Sequence, residues 1–284
     1  MNLIADSGST KTHWCVTDNG TVLKHIFTKG INPFYQTVEE ISHELEAQLL
    51  PGLKDMQINH IYFYGAGCSF PDKKILVSNA LGRYFKNISI EIESDLLGAA
   101  RSLFLDQKGI ACILGTGSNS CLYDGVSIVE NVSPLGYILG DEGSGAVLGK
   151  LLIADCLKNQ MPSKLKDKLF EKYALTPELI LDNVYKQPFP NRFLAKFTPF
   201  LLEHIEEPSI FNLVYDSFDA FFVRNVMQYP LEDIQVGFVG SVAFYFRDTL
   251  EIAASERGII VSEIVQSPME GLIKYHNALA PKGE

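Results

Sequence analysis

Apolar residues open the chain in a short run, Leu3-Ile4-Ala5, which Asp6-Ser7-Gly8-Ser9-Thr10 breaks and Thr12-His13-Trp14-Cys15-Val16-Thr17 resumes. Run, glycine-bearing turn and run make a strand–turn–strand pattern. Asp18-Asn19-Gly20 then signals a hairpin ahead of a third strand, Val22 to Phe27. The period changes next: Val38, Ile41, Leu45 and Leu49 recur at helical spacing and predict a helix from Val38 to Leu50, stopped by Pro51-Gly52. A buried-type strand, His60 to Tyr64, ends at Gly65-Ala66-Gly67. A helix over Lys73 to Phe85, a strand over Ile88 to Ile92 and a helix from Asp95 to about Leu105 complete the first part of the chain.

The opening pattern then recurs. Gly109 to Leu114 is an apolar strand, Gly115-Thr116-Gly117-Ser118-Asn119 a turn, and Ser120 to Tyr123 a second strand closed by Asp124-Gly125. At an offset of 109 residues Ile4 meets Ile113 and Ser7-Gly8-Ser9 meets Thr116-Gly117-Ser118. This predicts a duplicated domain with a boundary near Asp106 to Lys108, giving domains 1–107 and 108–284. The second is mostly helical from Gly145 to Tyr229, then has a strand, Gln235 to Val239, that runs into Gly240-Ser241 and a helix. A strand from Gly258 to Val265 and a closing helix from Pro268 to about Leu279 follow; that helix can pack back on the first domain. The alternation of strands and helices, with hairpins and crossovers both present, is α/β.

Composition narrows the classes. The 284 residues are 46% hydrophobic and 20% charged, enough for two full cores. A formal charge of −10 argues against nucleic acid or an anionic membrane as partner. The five cysteines never form a Cys-x-x-Cys pair, and the six histidines show no metal-ligand spacing, so zinc, iron–sulfur and disulfide frameworks are not expected. The start shows no basic stretch followed by an apolar run, and no apolar window is long enough to span a membrane, so a cytoplasmic location is expected.

Phosphoryl transfer needs backbone donors around phosphates, a divalent cation and a base at the acceptor hydroxyl. Two turns of glycine with Ser or Thr can meet the first need, because glycine lets the backbone approach and hydroxyls add donors. Asp6, at the end of the first strand, can hold Mg²⁺; Lys11 can add charge nearby, although strand alternation can also turn it away. Asp95 follows a strand and opens a helix, as either a base or a helix cap. Neither turn fits the phosphate loop ending in Gly-Lys-Ser/Thr or the dinucleotide fingerprint.

Asp6-Ser-Gly-Ser-Thr-Lys-Thr12 resembles the first phosphate motif of the sugar kinase, heat-shock ATPase and actin superfamily. Leu114-Gly-Thr-Gly-Ser-Asn119 resembles the second, and Val236-Gly-Phe-Val-Gly-Ser241 is similar to the adenosine motif. Gly140-Asp-Glu-Gly-Ser-Gly145 resembles the signature of the N-acetylglucosamine kinase-like family, which includes eukaryotic N-acetylglucosamine kinases and related bacterial amino-sugar kinases. The matches keep the family order from residue 3 to about 275. One departure is Ser7, where many relatives carry glycine.

The resemblance implies two duplicated actin-like (ribonuclease H-like) ATPase domains with a central cleft for ATP and Mg²⁺. It also implies ATP-dependent phosphorylation of an N-acetylated amino sugar, N-acetylglucosamine at O6 being the favoured case. Asp95 would be the general base. Asn32, Asp141 and Glu142 would serve the sugar together with Asp95. Gly8, Ser9, Thr10 and Lys11, with Gly115, Thr116, Gly117 and Ser118, would hold the phosphates, Gly240 and Ser241 the adenosine, and Asp6 the metal. Each has a plainer reading. Asn32 can simply stabilise the turn before Pro33, Gly240 can serve strand–helix packing, and Phe244, Tyr245 and Phe246 fit helix packing better than an adenine contact. Family members often dimerise, and the sequence identifies no contact surface. The alternatives are N-acetylmuramic acid or glucosamine as acceptor, an activator ATPase of an iron–sulfur enzyme, and an actin-like regulatory module without catalysis.

Overall fold

The computed structural model describes residues 1–8 and 10–279; Ser9, expected in the first phosphate turn, lies outside them. The chain divides into two compact units. One comprises Met1–Lys108, Tyr123–Ile128 and the segment from Ser267 on; the other comprises Gly109–Leu122 and Val129–Gln266.

The first unit is built on strands β1 (Asn2–Ser7), β2 (Lys11–Asp18), β3 (Thr21–Lys29), β4 (His60–Gly65) and β5 (Ser89–Ser94) in the order β3-β2-β1-β4-β5. The hairpin partners run antiparallel, whereas β1, β4 and β5 are parallel. One face packs Leu3, Trp14 and Phe63 against Ile41 of the helix Val38–Glu44 and against Val77 and Leu81 of the helix Pro71–Gly82. The other packs Ile4, Cys15 and Tyr64 against Met269, Leu272 and Ile273 of the closing helix Met269–Leu279.

The second unit holds β6 (Gly109–Leu114), β7 (Ser118–Tyr123), β8 (Ile128–Glu130), β9 (Gln235–Val239) and β10 (Val261–Val265) in the order β10-β9-β6-β7-β8. Counting strands along each unit, both sheets have the order 3-2-1-4-5. The duplication is therefore a shared topology, with the first glycine turn after β1 and the second after β6.

Local differences from the sequence reading have physical causes. The strand ends Ser7 and Leu114 are 107 residues apart, as are the restarts Lys11 and Ser118, so the equivalence is Gly8 with Gly115 rather than the 109-residue match. The helix expected over Val38–Leu50 is α-helical only to Glu44; it widens to a π turn over Leu45–Leu49, then tightens to a 3₁₀ turn over Leu50–Leu53. Pro51 has no N–H to continue the ladder. The last strand starts at Val261 because Gly258, at φ 70°, ends the helix Arg247–Glu256, while Ile259 N–H donates to the Ala254 carbonyl. Strand β8 and the short helix Gly136–Leu139 were not expected; neither buries a residue, so neither leaves a periodic signal. Among the described residues no helix is long and apolar enough to cross a membrane.

Candidate active site

The first unit brings three of the expected site residues to the carboxyl ends of its parallel strands, where α/β sheets bind ligands. Asp6 lies in β1 opposite Tyr64 of β4, and β4 carries the register on to β5, which ends at Ser94. Ser94 caps the next helix, accepting the Leu97 N–H at 3.2 Å, so Asp95 is the first helical residue and not the cap. Its Oδ1 accepts the Leu96 N–H at 2.9 Å. Both carboxylates are half-buried by surface area. Burial, reinforced by the charge of Asp95, pushes Asp6 up to about 7 against a smaller opposing pull from Lys11. Burial pushes Asp95 up to about 6, and the hydrogen bond from Leu96 only partly offsets it.

Ser7 is fully buried and faces inward. Its hydroxyl donates to the Ile31 carbonyl at 3.1 Å and accepts the Ile31 N–H at 3.0 Å, so it ties the first turn to the residue before Asn32. Asn32 Oδ1 accepts the Phe34 N–H at 3.0 Å, and its own N–H donates to Gln36 Oε1. Among the described residues its Nδ2 has no hydrogen-bond partner, so the turn uses only half of the amide. Gly67, after β4, is the close neighbour: a Cβ there would stand 2.7 Å from Asn32 Oδ1. In the first turn Gly8 N–H donates to the Lys11 carbonyl, and Thr10 and Lys11 are exposed. Lys11 Nζ lies 5.4 Å from the Phe27 ring centroid.

In the second unit the turn after β6 is held from three sides. Gly115 N–H donates to the Gly117 carbonyl. Gly145 and Ala146, opening the helix Gly145–Leu157, donate to the carbonyls of Gly115 and Thr116 at 2.8 and 3.1 Å. Gly240, at φ 126°, comes so close that a Cβ would sit 2.3 Å from the Leu114 carbonyl oxygen, so bare backbone is obligatory there. The N–H groups of Thr116 and Gly117 donate to no protein atom among the described residues. Asp141, at φ 55° and 9% exposed, reaches the same turn: its carboxylate lies 3.1 Å from where a Gly117 Cβ would be. Burial still pushes Asp141 up to about 6. Glu142 is turned to Arg224, with Oε1 2.6 Å from its Nε, so its carboxylate is already engaged.

A cavity of about 400 Å³ adjoins this turn, lined by Ser241, Val242, Tyr245 and Phe246 on one side and Thr198, Pro199 and Leu202 on the other. The sequence reading reached Ser241 but not the helix Thr198–Glu203, whose residues carry no motif and arrive only by packing. A more open depression of about 650 Å³ in the first unit, lined in part by Glu39, Asn79, Arg83 and Lys86, contains none of the expected site residues among those described.

No protein-family profile matches the chain, and no curated protein matches it. Solved structures do. A Porphyromonas gingivalis protein described as a "Putative N-acetylglucosamine Kinase" is 51% identical, with 98% of this chain and 99% of that one covered and a TM-score of 0.95. A Chromobacterium violaceum protein of the same description is 18% identical over 96% of this chain and 98% of that one, with a TM-score of 0.68. A ROK family glucokinase from Streptomyces griseus, solved with glucose and AMPPNP, is 15% identical over 99% of this chain and 100% of that one, with a TM-score of 0.59. The two distant structures share the α/β fold of the actin-like sugar kinases. At half identity over nearly its whole length, the chain belongs to the N-acetylglucosamine kinase-like family of sugar kinases.

Proposed function

We propose that the protein is an ATP-dependent kinase that phosphorylates N-acetylglucosamine at O6, with Asp95 as the general base. The observation that carries this reading is the state of Asp95. It is a half-buried carboxylate at the end of a parallel strand, held near pH 6, where it is mostly ionised at neutral pH yet basic enough to take a proton. A carboxylate at its ordinary value would be a weaker base.

The other residues divide the remaining work. Asn32 offers its free Nδ2 to a sugar hydroxyl, while Ser7 and the Phe34 N–H fix its orientation. Asp141 accepts a second hydroxyl and, lying against Gly117, couples that contact to the phosphate turn. The unused N–H groups of Thr116 and Gly117, with Gly8, Ser9, Thr10, Lys11, Gly115 and Ser118, bind the phosphates. Gly240 and Ser241 carry the nucleoside. Glu142, held by Arg224, acts as a support for the loop of Asp141 rather than as a direct sugar ligand. Asp6 suits a divalent cation: its carboxylate is pushed up by burial and by Asp95, and Lys11 compensates it only in part. Mg²⁺ held there would neutralise phosphate charge. The protein's own part is to place the Asp6 carboxylate where a cation would favour its ionised form, and to leave Asp95 able to move the proton.

An activator-type ATPase needs accessible thiols for its cluster, whereas all five cysteines here are buried and unpaired. The test is ADP release with Mg·ATP against N-acetylglucosamine, N-acetylmuramic acid, N-acetylmannosamine, glucosamine and glucose, with Asp95→Asn in parallel. N-acetylglucosamine should be preferred, and the variant should lose at least about a hundredfold in kcat while still binding ATP. ADP release that is independent of sugar would overturn the reading.

A further inference from the structure

We infer that the nucleoside site accepts purine triphosphates without telling adenine from guanine, because the side chains lining the cavity beside the second glycine turn offer a base apolar faces and hydroxyls. This rests on the reading of the chain as a kinase whose nucleotide lies at Gly240-Ser241.

The cavity is in the right place for a base. Both of its walls touch the phosphate turn. On one side Gly240, immediately before Ser241, abuts the Leu114 carbonyl and Gly115 N–H. On the other, Gly145 stands between Thr198 and the turn: a Cβ on it would lie 3.1 Å from Thr198 Cγ2 and 3.3 Å from the Gly115 carbonyl oxygen. A nucleotide whose phosphates occupy Gly115–Ser118 would therefore lead its base into these walls. At about 400 Å³ the space suits a nucleoside.

The chemistry of the walls sets what can be read. Pro199, Leu202, Val242, Phe246 and the Tyr245 ring offer carbon. Among the described residues no carboxylate, amide, lysine or arginine side chain lines the cavity, and the side-chain polar atoms that line it are three hydroxyls. Thr198 Oγ1 donates to the Ala195 carbonyl at 2.9 Å, Tyr245 Oη accepts from Gln266 Nε2 at 3.0 Å, and Ser241 is exposed. Adenine presents an acceptor at N1 and a donor at its 6-amino group, and guanine presents the reverse. The Ser241 and Tyr245 hydroxyls rotate to serve either pattern, and Thr198 Oγ1, its proton given to Ala195, accepts equally from the adenine 6-amino group or the guanine N1–H. Sites that reject a base strongly do so by leaving fixed polar groups unpaired, an effect of about 10⁴-fold, whereas apolar walls sort ligands by size within about 10–200-fold. These walls should hold purines over the smaller pyrimidines and treat the two purines nearly alike.

The experiment has two arms. Binding of ADP, GDP, IDP, CDP and UDP to the full chain is measured by calorimetry without sugar, and sugar-dependent release of each diphosphate is measured from the matching triphosphate. ADP and GDP should bind within about tenfold of each other, with CDP and UDP weaker than either by tenfold or more. Tyr245→Ala and the cavity-filling Leu202→Trp should weaken ADP and GDP together and leave their ratio unchanged. A preference for ADP over GDP above about a hundredfold would show that fixed groups read the base edge, and would overturn the inference. So would unchanged affinity in both variants. Tolerant binding with no sugar turnover would instead leave the inference standing and defeat the kinase reading. Turnover confined to ATP would do the opposite.

Discussion

At the scale of single residues, Asp6 and Asp95 are carboxylates whose surroundings work against their charge. Unfolded, both titrate near 3.8; folded, they are held up to about 7 and about 6. From about pH 4 to 7 the native chain keeps protons that the unfolded chain gives up, so these groups lower stability as pH rises through that window. Asp95→Asn should therefore raise the thermal midpoint at pH 8, by about 1–3 kcal/mol of stability, and leave it nearly unchanged at pH 4. Scanning calorimetry at the two pH values checks this, and equal shifts at both would count against the electrostatic cause. The same ionisation should give kcat/KM an acid limb between about pH 6 and 7, flattening above it. Of this pair the sequence showed the positions through motif and strand order. It did not show that Ser94 takes the capping role and leaves Asp95 free, since Ser and Asp are both good caps and only the backbone angles choose.

At the scale of elements, the helix Asp95–Phe104 owes its placement to the closing helix. Gly271 permits the approach, since a Cβ there would stand 2.1 Å from the Ser102 carbonyl oxygen; Gly98 does the same against Tyr64. Arg101 Nη1 donates to the Tyr64 hydroxyl and to Glu91 Oε1 at 2.8 and 2.7 Å, and His276 Nε2 shares a 2.8 Å hydrogen bond with the same hydroxyl. Burial, helped by the Arg101 charge, pushes His276 down to about 3 from 6.5. Between these values the unfolded chain binds a proton that the native one refuses, so stability is lost as pH falls from about 6.5 toward 3. His276→Gln should cost about 1–2 kcal/mol at pH 7.5 through the lost ring contacts and hydrogen bond. Its deficit should shrink by pH 4.5, where the wild type alone pays to keep a histidine neutral. Thermal midpoints of both proteins across that range measure it, and a deficit constant with pH would show that His276 does not titrate on unfolding. None of this network was legible in the sequence. Its members are 212 residues apart in the extreme case, and periodicity carries no information on contacts of that range.

At the scale of the whole molecule, a formal charge of −10 surrounds a site for an anionic nucleotide. The overall field opposes approach, and local donors must overcome it. Raising ionic strength from about 10 to 150 mM shortens the screening length to about 8 Å and should raise the association rate of Mg·ATP by roughly twofold. Stopped-flow measurement with a fluorescent ATP analogue checks the direction. A fall with salt would mean that local cations outweigh the net charge.

What the sequence determined by itself is what short-range chemistry encodes: the strand–turn–strand openings, the two glycine turns, the Gly-Asp-Glu loop and the acidic residues at strand ends. Glycine where backbone must approach, and apolar residues at period two or 3.6, are local necessities that leave a local trace. The tertiary structure alone decided the rest. It turned Ser7 inward to Ile31, engaged Glu142 with Arg224, set Asp141 against the second glycine turn and brought the helix Thr198–Glu203 to the cavity. Those outcomes depend on which distant side chains fill the space left by packing, and a close-packed interior settles that only when the whole unit has folded.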